Sequence, residues 1–229
     1  MAALTVTGLA ATIGPAQQIP LTVSIPSPYT VDVTGTLTLT FASAVGGDDP
    51  SIQFSTVGRT VTFTIPAGGT SAVYPQNSQL LVSTGTVAGT ITIKATLQSA
   101  GSDITPANLT PLTATVPKQA PVITSATLKQ STGGVTITIA GYSTTKELTQ
   151  ATLVFNAASG GSLNGGSVTV PLSATISAWY QSAAAAAFGS QFTVSVPIAV
   201  SGTVNAIGSV TVTVTNTVGN SAPVTAQLQ

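Results

Sequence analysis

The sequence predicts an all-β chain: two tandem antiparallel β-sandwiches, the second carrying one short helix near residues 176–188. Three observations carry this. Thr or Ser alternates with Val, Ile or Leu in short runs along most of the chain, the period of a sheet with one wet face. Gly, Pro, Asn and Asp gather between the runs, where tight turns need them. Near the middle of the 229 residues, in TVPKQAPVI, Pro117 and Pro121 bracket Lys118, Gln119 and Ala120, a short semi-rigid connection that divides the chain into 1–117 and 118–229. Each half has the length of an ordinary domain and can bury a core without disulfides.

The strands follow in order. In TGTLTLTF, Leu37, Leu39 and Phe41 share one face while Thr36, Thr38 and Thr40 share the other. Val61, Phe63 and Ile65 alternate with Thr62 and Thr64, then Ile91, Ile93, Ala95 and Leu97 with Thr92, Lys94 and Thr96. Gly46-Gly47-Asp48-Asp49-Pro50 and Ala67-Gly68-Gly69 supply the intervening turns. The second half repeats the style without clear sequence repetition: Val135, Ile137 and Ile139; Leu153 and Phe155; Phe192, Val194, Val196 and Ile198; Val210, Val212 and Val214. The phase puts Phe155 in the core with Leu153, so Phe155→Ala is expected to cost about 3 to 5 kcal/mol, and Thr213→Ala, on the wet face, far less.

One stretch, WYQSAAAAAFGSQF, breaks the alternation. From Ile176 the positions at helical spacing are Trp179, Tyr180, Ala183, Ala184, Ala187 and Phe188, with Ser173 or Thr175 as a cap and Gly189 where a left-handed C-terminal residue is wanted. Alanine favours helix and is small, so the spacing predicts a helix lying close against a sheet edge or sandwich mouth, anchored by Trp179 and Phe188.

Composition excludes several function classes. Five Lys plus Arg and five Asp plus Glu make up only 4% of the chain, where about 25% is usual. Five scattered cations cannot neutralise the row of phosphates that nucleic-acid binding requires, so no nucleic-acid partner is expected. Without His or Cys, neither a Ser-His-Asp or Cys-His arrangement nor a His- or thiolate-based metal site can be built. No glycine-rich segment matches a phosphate-binding loop. The reading is non-enzymatic, with no catalytic, cofactor-binding or metal residue assigned and no cofactor. No apolar run approaches the roughly 20 residues of a membrane span. The stretch MAALTVTGLAATIG lacks the basic start of a secretory signal, and Met1 reads as an added start residue or as the head of a mature segment whose signal is missing.

Three local features carry site hypotheses. Trp179 and Tyr180 read first as packing anchors on an apolar stripe, with a flat aromatic face for a sugar as the alternative. Asp48 and Asp49 in GGDDP lack the spaced ligands of a calcium loop and read as a solvated turn. Lys94 and Lys129 fall out of phase with their apolar neighbours and should face solvent, which argues against an isopeptide crosslink in either core.

The C-terminal VTVTVTNTVGNSAPVTAQL, with Asn216, Gly219 and Ser221 after the alternating Val210, Val212 and Val214, resembles the closing hairpin of immunoglobulin-like (Ig-like) modules. APVITSATL followed by GGVTITIAGYS is similar to the first two strands of bacterial Ig-like domains of secreted and cell-surface proteins. The Cys pair and core Trp of antibody domains are missing. The resemblance implies a secreted or cell-surface spacer, adhesive or fibre-assembly module that contacts protein or extracellular matrix, with a carbohydrate-binding accessory module as the alternative. Few charges guard the edges of these Thr-Val strands, so self-association is expected, with Ala2 to Ala11 as the strand most readily exchanged.

Overall fold

Alternating residues become strands because each places apolar side chains on one face at every second position. A computed structural model describes residues 4–56, 58–74 and 79–229. The chain forms two compact units, Met1–Pro117 and Lys118–Gln229. The first contains β1 (Thr5–Thr7), β2 (Gln18–Ser24), β3 (Val33–Ser43), β4 (Gln53–Phe54), β5 (Thr60–Ile65), β6 (Leu80–Ser83), β7 (Gly89–Ser99), β8 (Ser102–Asp103) and β9 (Leu112–Val116). The second contains β10 (Val122–Ser131), β11 (Gly134–Tyr142), β12 (Gln150–Ala157), β13 (Ser167–Pro171), the helix α1 (Ser173–Gln181), β14 (Gln191–Ala199), β15 (Ile207–Thr215) and β16 (Val224–Gln227).

Strand order makes both units the same sandwich. In the first, β1-β2-β6-β4 form one sheet and β5-β3-β7 the other, with β8 and β9 along the far edge of β7. In the second, β10-β11-β14 face β13-β12-β15-β16. With β4 and the two-residue β8 set aside as additions, the first, second and fifth strands share one sheet in each unit, and the fourth, third, sixth and seventh share the other. That is an Ig-like Greek key. The two units also close one flank alike. Residues 11–13 leave the β1 sheet and pair parallel with β9, through Thr115 N–H to Ala11 C=O and Ile13 N–H to Thr115 C=O. In the second unit Leu128 bridges Leu228 in parallel.

The cores follow the phase of the sequence. Leu37, Leu39, Val61, Phe63, Ile65, Ile91, Ile93 and Leu97 are buried in the first unit, and Val135, Ile137, Ile139, Leu153, Val210, Val212 and Val214 in the second. Lys94 and Lys129 are exposed, as their phase requires. Gly35 is needed where it stands: its cross-strand partner Phe63 lies over it, and a Cβ there would come within 2.3 Å of the ring.

Phe155 departs from its expected place. It shares Leu153's face but is only half-buried, because the β12–β15 register slips between Asn156 and Ala157 and the sandwich opens there. Phe155→Ala is therefore expected to cost about 1 to 2 kcal/mol, below the figure for an enclosed aromatic. Chemical denaturation checks this, and a loss above 3 kcal/mol would show that the ring is enclosed.

The helix also departs from its predicted extent. The α-helix begins at Ser173 with Leu172 as an N-cap lacking a side-chain bond, and ends at Gln181. The alanines form a separate 3-10 helix, Ala183–Phe188, with Gly189 beyond it at φ 60°. Ser182 separates the two in an extended conformation (φ −74°, ψ 147°), its hydroxyl donating to Trp179 C=O and accepting from Ala185 N–H. Ile176 and Ala185 are the buried residues of the segment, while Ala183, Ala184 and Ala187 are exposed and Phe188 is 49% exposed. Alanine's helix propensity is overridden because the chain must turn down into β14 within a few residues.

Candidate functional site

The predicted aromatic pair sits where the helix meets the edge of β14. Even-numbered residues of this strand direct their backbone groups to β11, as shown by Ser143 N–H to Ser190 C=O and Val200 N–H to Gly133 C=O. Odd-numbered residues therefore face outward. The Trp179 indole N–H donates to the outward C=O of Gln191 at 2.9 Å, and the Tyr180 hydroxyl donates to Ser190 C=O at 2.6 Å. Both side chains are half-buried, and the Phe188 ring lies against Trp179 at a centroid distance of 5.9 Å and a tilt of 40°. Phe188 thus rests on Trp179 instead of anchoring in the core. Pro197 and Pro171 both occupy outward positions of edge strands, where a missing N–H costs no ladder bond. Pro26 lies in the bend after β2.

Burial pushes the Tyr180 phenol well above its ordinary value of 10.0. A phenol raised in the folded state contributes stability that is complete below the unfolded value near 10 and is lost as pH rises toward the folded value. Tyr180→Phe is expected to cost about 1 kcal/mol at neutral pH and to flatten part of the alkaline loss of stability. Denaturation midpoints of both proteins across the alkaline range check this, and parallel profiles would refute it.

The acidic turn divides into two unlike residues. Asp48 is the solvated member, pairing with Arg59 at 2.7 Å with its own side chain 58% exposed. Asp49 corrects the reading of a solvated turn, since it is fully buried. One carboxylate oxygen accepts from the Ser51 N–H and hydroxyl, the other from Thr86 N–H at 2.6 Å, Thr86 Oγ1 and Val87 N–H at 3.1 Å. The carboxylate ties the connection after β3 to the one between β6 and β7, and its oxygens meet donors instead of a cation. The Asp-Pro-Ser order is an Asx-turn signal that makes the Ser51 contact legible, but nothing local points to Thr86 and Val87. Asp32 and Asp103 similarly accept from the N–H groups of Ala67 and Thr105.

A second buried polar cluster closes one end of the second unit. Asn216 Nδ2 donates to Gln119 C=O, Ser143 Oγ and Thr145 Oγ1 at 2.9, 3.2 and 3.1 Å, and its Oδ1 accepts from the Val218 and Gly219 N–H groups. Sequence reading marks Asn216 as a strand end but not as the centre of this network.

Three cavities are lined by described residues and hold no charged group. One lies beside Leu4, Ile93, Leu109 and Leu112, and another over Gly35, Phe63 and neighbouring threonines. The largest of the three, about 390 Å³, opens in the second unit among Phe155, Leu163, Val168, Ile198 and Val200. None of the three is lined by a charged side chain. Groups of acidic residues that could hold a metal ion are absent among the described residues.

No protein-family model matches the sequence, and no curated protein does. Among solved structures, the chain is similar to the class 5 fimbriae chaperone CfaA at 8% identity and a TM-score of 0.32, over 97% of this chain and 98% of that one. It is similar to the FN1–FN3 domains of chicken CNTN1 at 11% identity and a TM-score of 0.26, over 98% of this chain and 66% of that one. Similarity to a red sea bream transglutaminase, at 13% identity and a TM-score of 0.28, covers all of this chain and 31% of that one. The Ig-like assignment rests on the strand order described above.

Proposed function

We propose that this chain is a non-catalytic structural and interaction module of a bacterial secreted or cell-surface protein. Its two Ig-like units act as spacer, adhesive or fibre-assembly elements through contacts with protein or extracellular matrix, including further copies of itself. The observation that carries this reading is the placement of its polar chemistry. Asp32, Asp49, Asp103 and Asn216 hold loops together, while the three cavities described are lined by apolar side chains, hydroxyls and the amides of Asn164 and Gln98, with no acid or base among them. Catalysis needs a titratable group or preorganised charge at the reacting atom.

The test is solid-phase binding of the full chain to immobilised matrix proteins, with light scattering across a concentration series. Saturable binding or reversible association supports the reading, and the absence of both would overturn it. Exchange of the N-terminal strand makes a further prediction. Leu4, Leu9 and Ile13 are buried in the first unit, so a chain lacking residues 1–13 should lose stability in that unit and lose the association that exchange of this strand provides. Ala2 and Ala3 of the proposed strand lie outside the described residues. A truncated chain as stable and as monomeric as the full one would remove the exchange hypothesis.

One observation favours a second reading, a carbohydrate-binding accessory module: Phe188 is half-exposed beside the Trp179 ring. Glycan-array binding that is lost in a folded Trp179→Ala protein would select it over the first.

A further inference from the structure

The two units share a strand order but differ at one edge. In the first, the connection of residues 44–59 folds back as β4 onto the outer edge of β6, pairing Gln53 with Ser83 and Phe54 with Val82. Ser55 N–H bonds Leu81 C=O at 2.9 Å, and Leu81 N–H bonds Ser55 Oγ at 3.1 Å. Phe54, only 1% exposed, fills the core beneath. In the second unit the corresponding strand is β14, and the corresponding connection, residues 158–166, takes another course: Ala158 N–H bonds Ala206 C=O, beside the start of β15. β14 pairs with β11 alone, so the outward backbone groups of Thr193 and Ser195 belong to no ladder. Between this connection and the end of β14 lies the 390 Å³ cavity, walled in part by half-buried Phe155, Leu163, Val168, Ile198 and Val200.

We propose that this cavity and the adjoining edge of β14 receive an extended, uncharged peptide segment of another protein. The segment adds as a strand to β14 and inserts one bulky apolar side chain, as β4 and Phe54 do within the first unit. Three observations select this occupant. An edge that presents the N–H and C=O groups of Thr193 and Ser195 and the C=O of Pro197, beside a cavity with apolar side chains on part of its wall, offers main-chain bonds for affinity and a pocket for selectivity. Neither β13, β14 nor the cavity lining carries a charge, so a charged segment would lose its hydration without a partner. The chain's own segment of this kind, around Phe54, is buried in its own unit and is not free to fill the site. This deepens the interaction-module reading and rests on it. Failure of the peptide to bind would sink the site alone, whereas failure of that reading would appear as absent matrix binding and absent self-association.

The experiment is an NMR titration of the isotope-labelled full chain with the acetylated, amidated hexapeptide Ser-Ile-Gln-Phe-Ser-Thr, copied from residues 51–56. Saturable shifts are expected in the amides of Phe155, Val168 and residues 195–200. Replacing the peptide's Phe by Ala should weaken binding roughly tenfold or more. N-methylation of its second Ser should do likewise, since it removes the strand-pairing donor. Absent shifts at millimolar peptide, or equal binding by all three peptides, would overturn the proposal. Shifts of the same residues with protein concentration alone would assign the edge to a second copy and equally overturn it.

Discussion

Asp49→Ala is expected to destabilise the first unit by about 3 to 5 kcal/mol. The substitution removes the carboxylate oxygen that the buried Thr86 and Val87 N–H groups share, at about 1 to 3 kcal/mol for each donor that loses it, and releases the Ser51 contact as well. Asp49→Asn should recover little, because its amide keeps one acceptor oxygen but turns an NH₂ donor toward other donors. Asp48→Ala, beside it, removes an exposed ion pair and should cost less than about 1 kcal/mol. Denaturation followed by circular dichroism reads the loss. Equal effects of Asp48→Ala and Asp49→Ala would show that the buried carboxylate is not the tie.

Asn216→Ala is expected to cost about 2 to 4 kcal/mol in the second unit. It frees the N–H groups of Val218 and Gly219 and leaves Gln119 C=O, Ser143 and Thr145 to find new partners at a closed end of the sandwich. Asn216→Asp is a sharper control. It keeps the acceptor for the turn but sets a carboxylate against Gln119 C=O, which cannot donate, and against a Ser143 hydroxyl that already donates to Glu147 C=O, leaving the Thr145 hydroxyl to turn toward it. Trp179 is the only tryptophan and belongs to the second unit, so its fluorescence reports that unit's unfolding. An unchanged Trp179 transition in Asn216→Ala would refute the network's structural role.

Much of the fold was legible from residue order because its causes are local. Leu37, Leu39, Ile91, Ile93, Val210 and Val212 lie inside for the reason their alternation implies, and Lys94 and Lys129 lie outside by the same rule. The helical segment is legible for the same reason in part: Ile176, Trp179 and Tyr180 recur at helical spacing. The split at Ser182 is not, because it answers to the position of β14. Of the candidate site, Trp179 and Tyr180 can be found by their rarity, but their tethers to Gln191 and Ser190 cannot.

Residue chemistry alone settles that this chain is all-β, lacks the side chains for histidine or thiol chemistry, and offers almost no charge to a partner. It settles these because periodicity and composition do not depend on which strands become neighbours. Only the folded arrangement decides that Asp49 is buried beneath Thr86 and Val87, that Asn216 gathers Gln119 and Ser143, and that β6 is covered by β4 while β14 stays open. These pairings join residues far apart in the chain. A carboxylate becomes a loop tie, and a strand end a free edge, only when the protein brings a donor within hydrogen-bond reach or leaves that place unfilled.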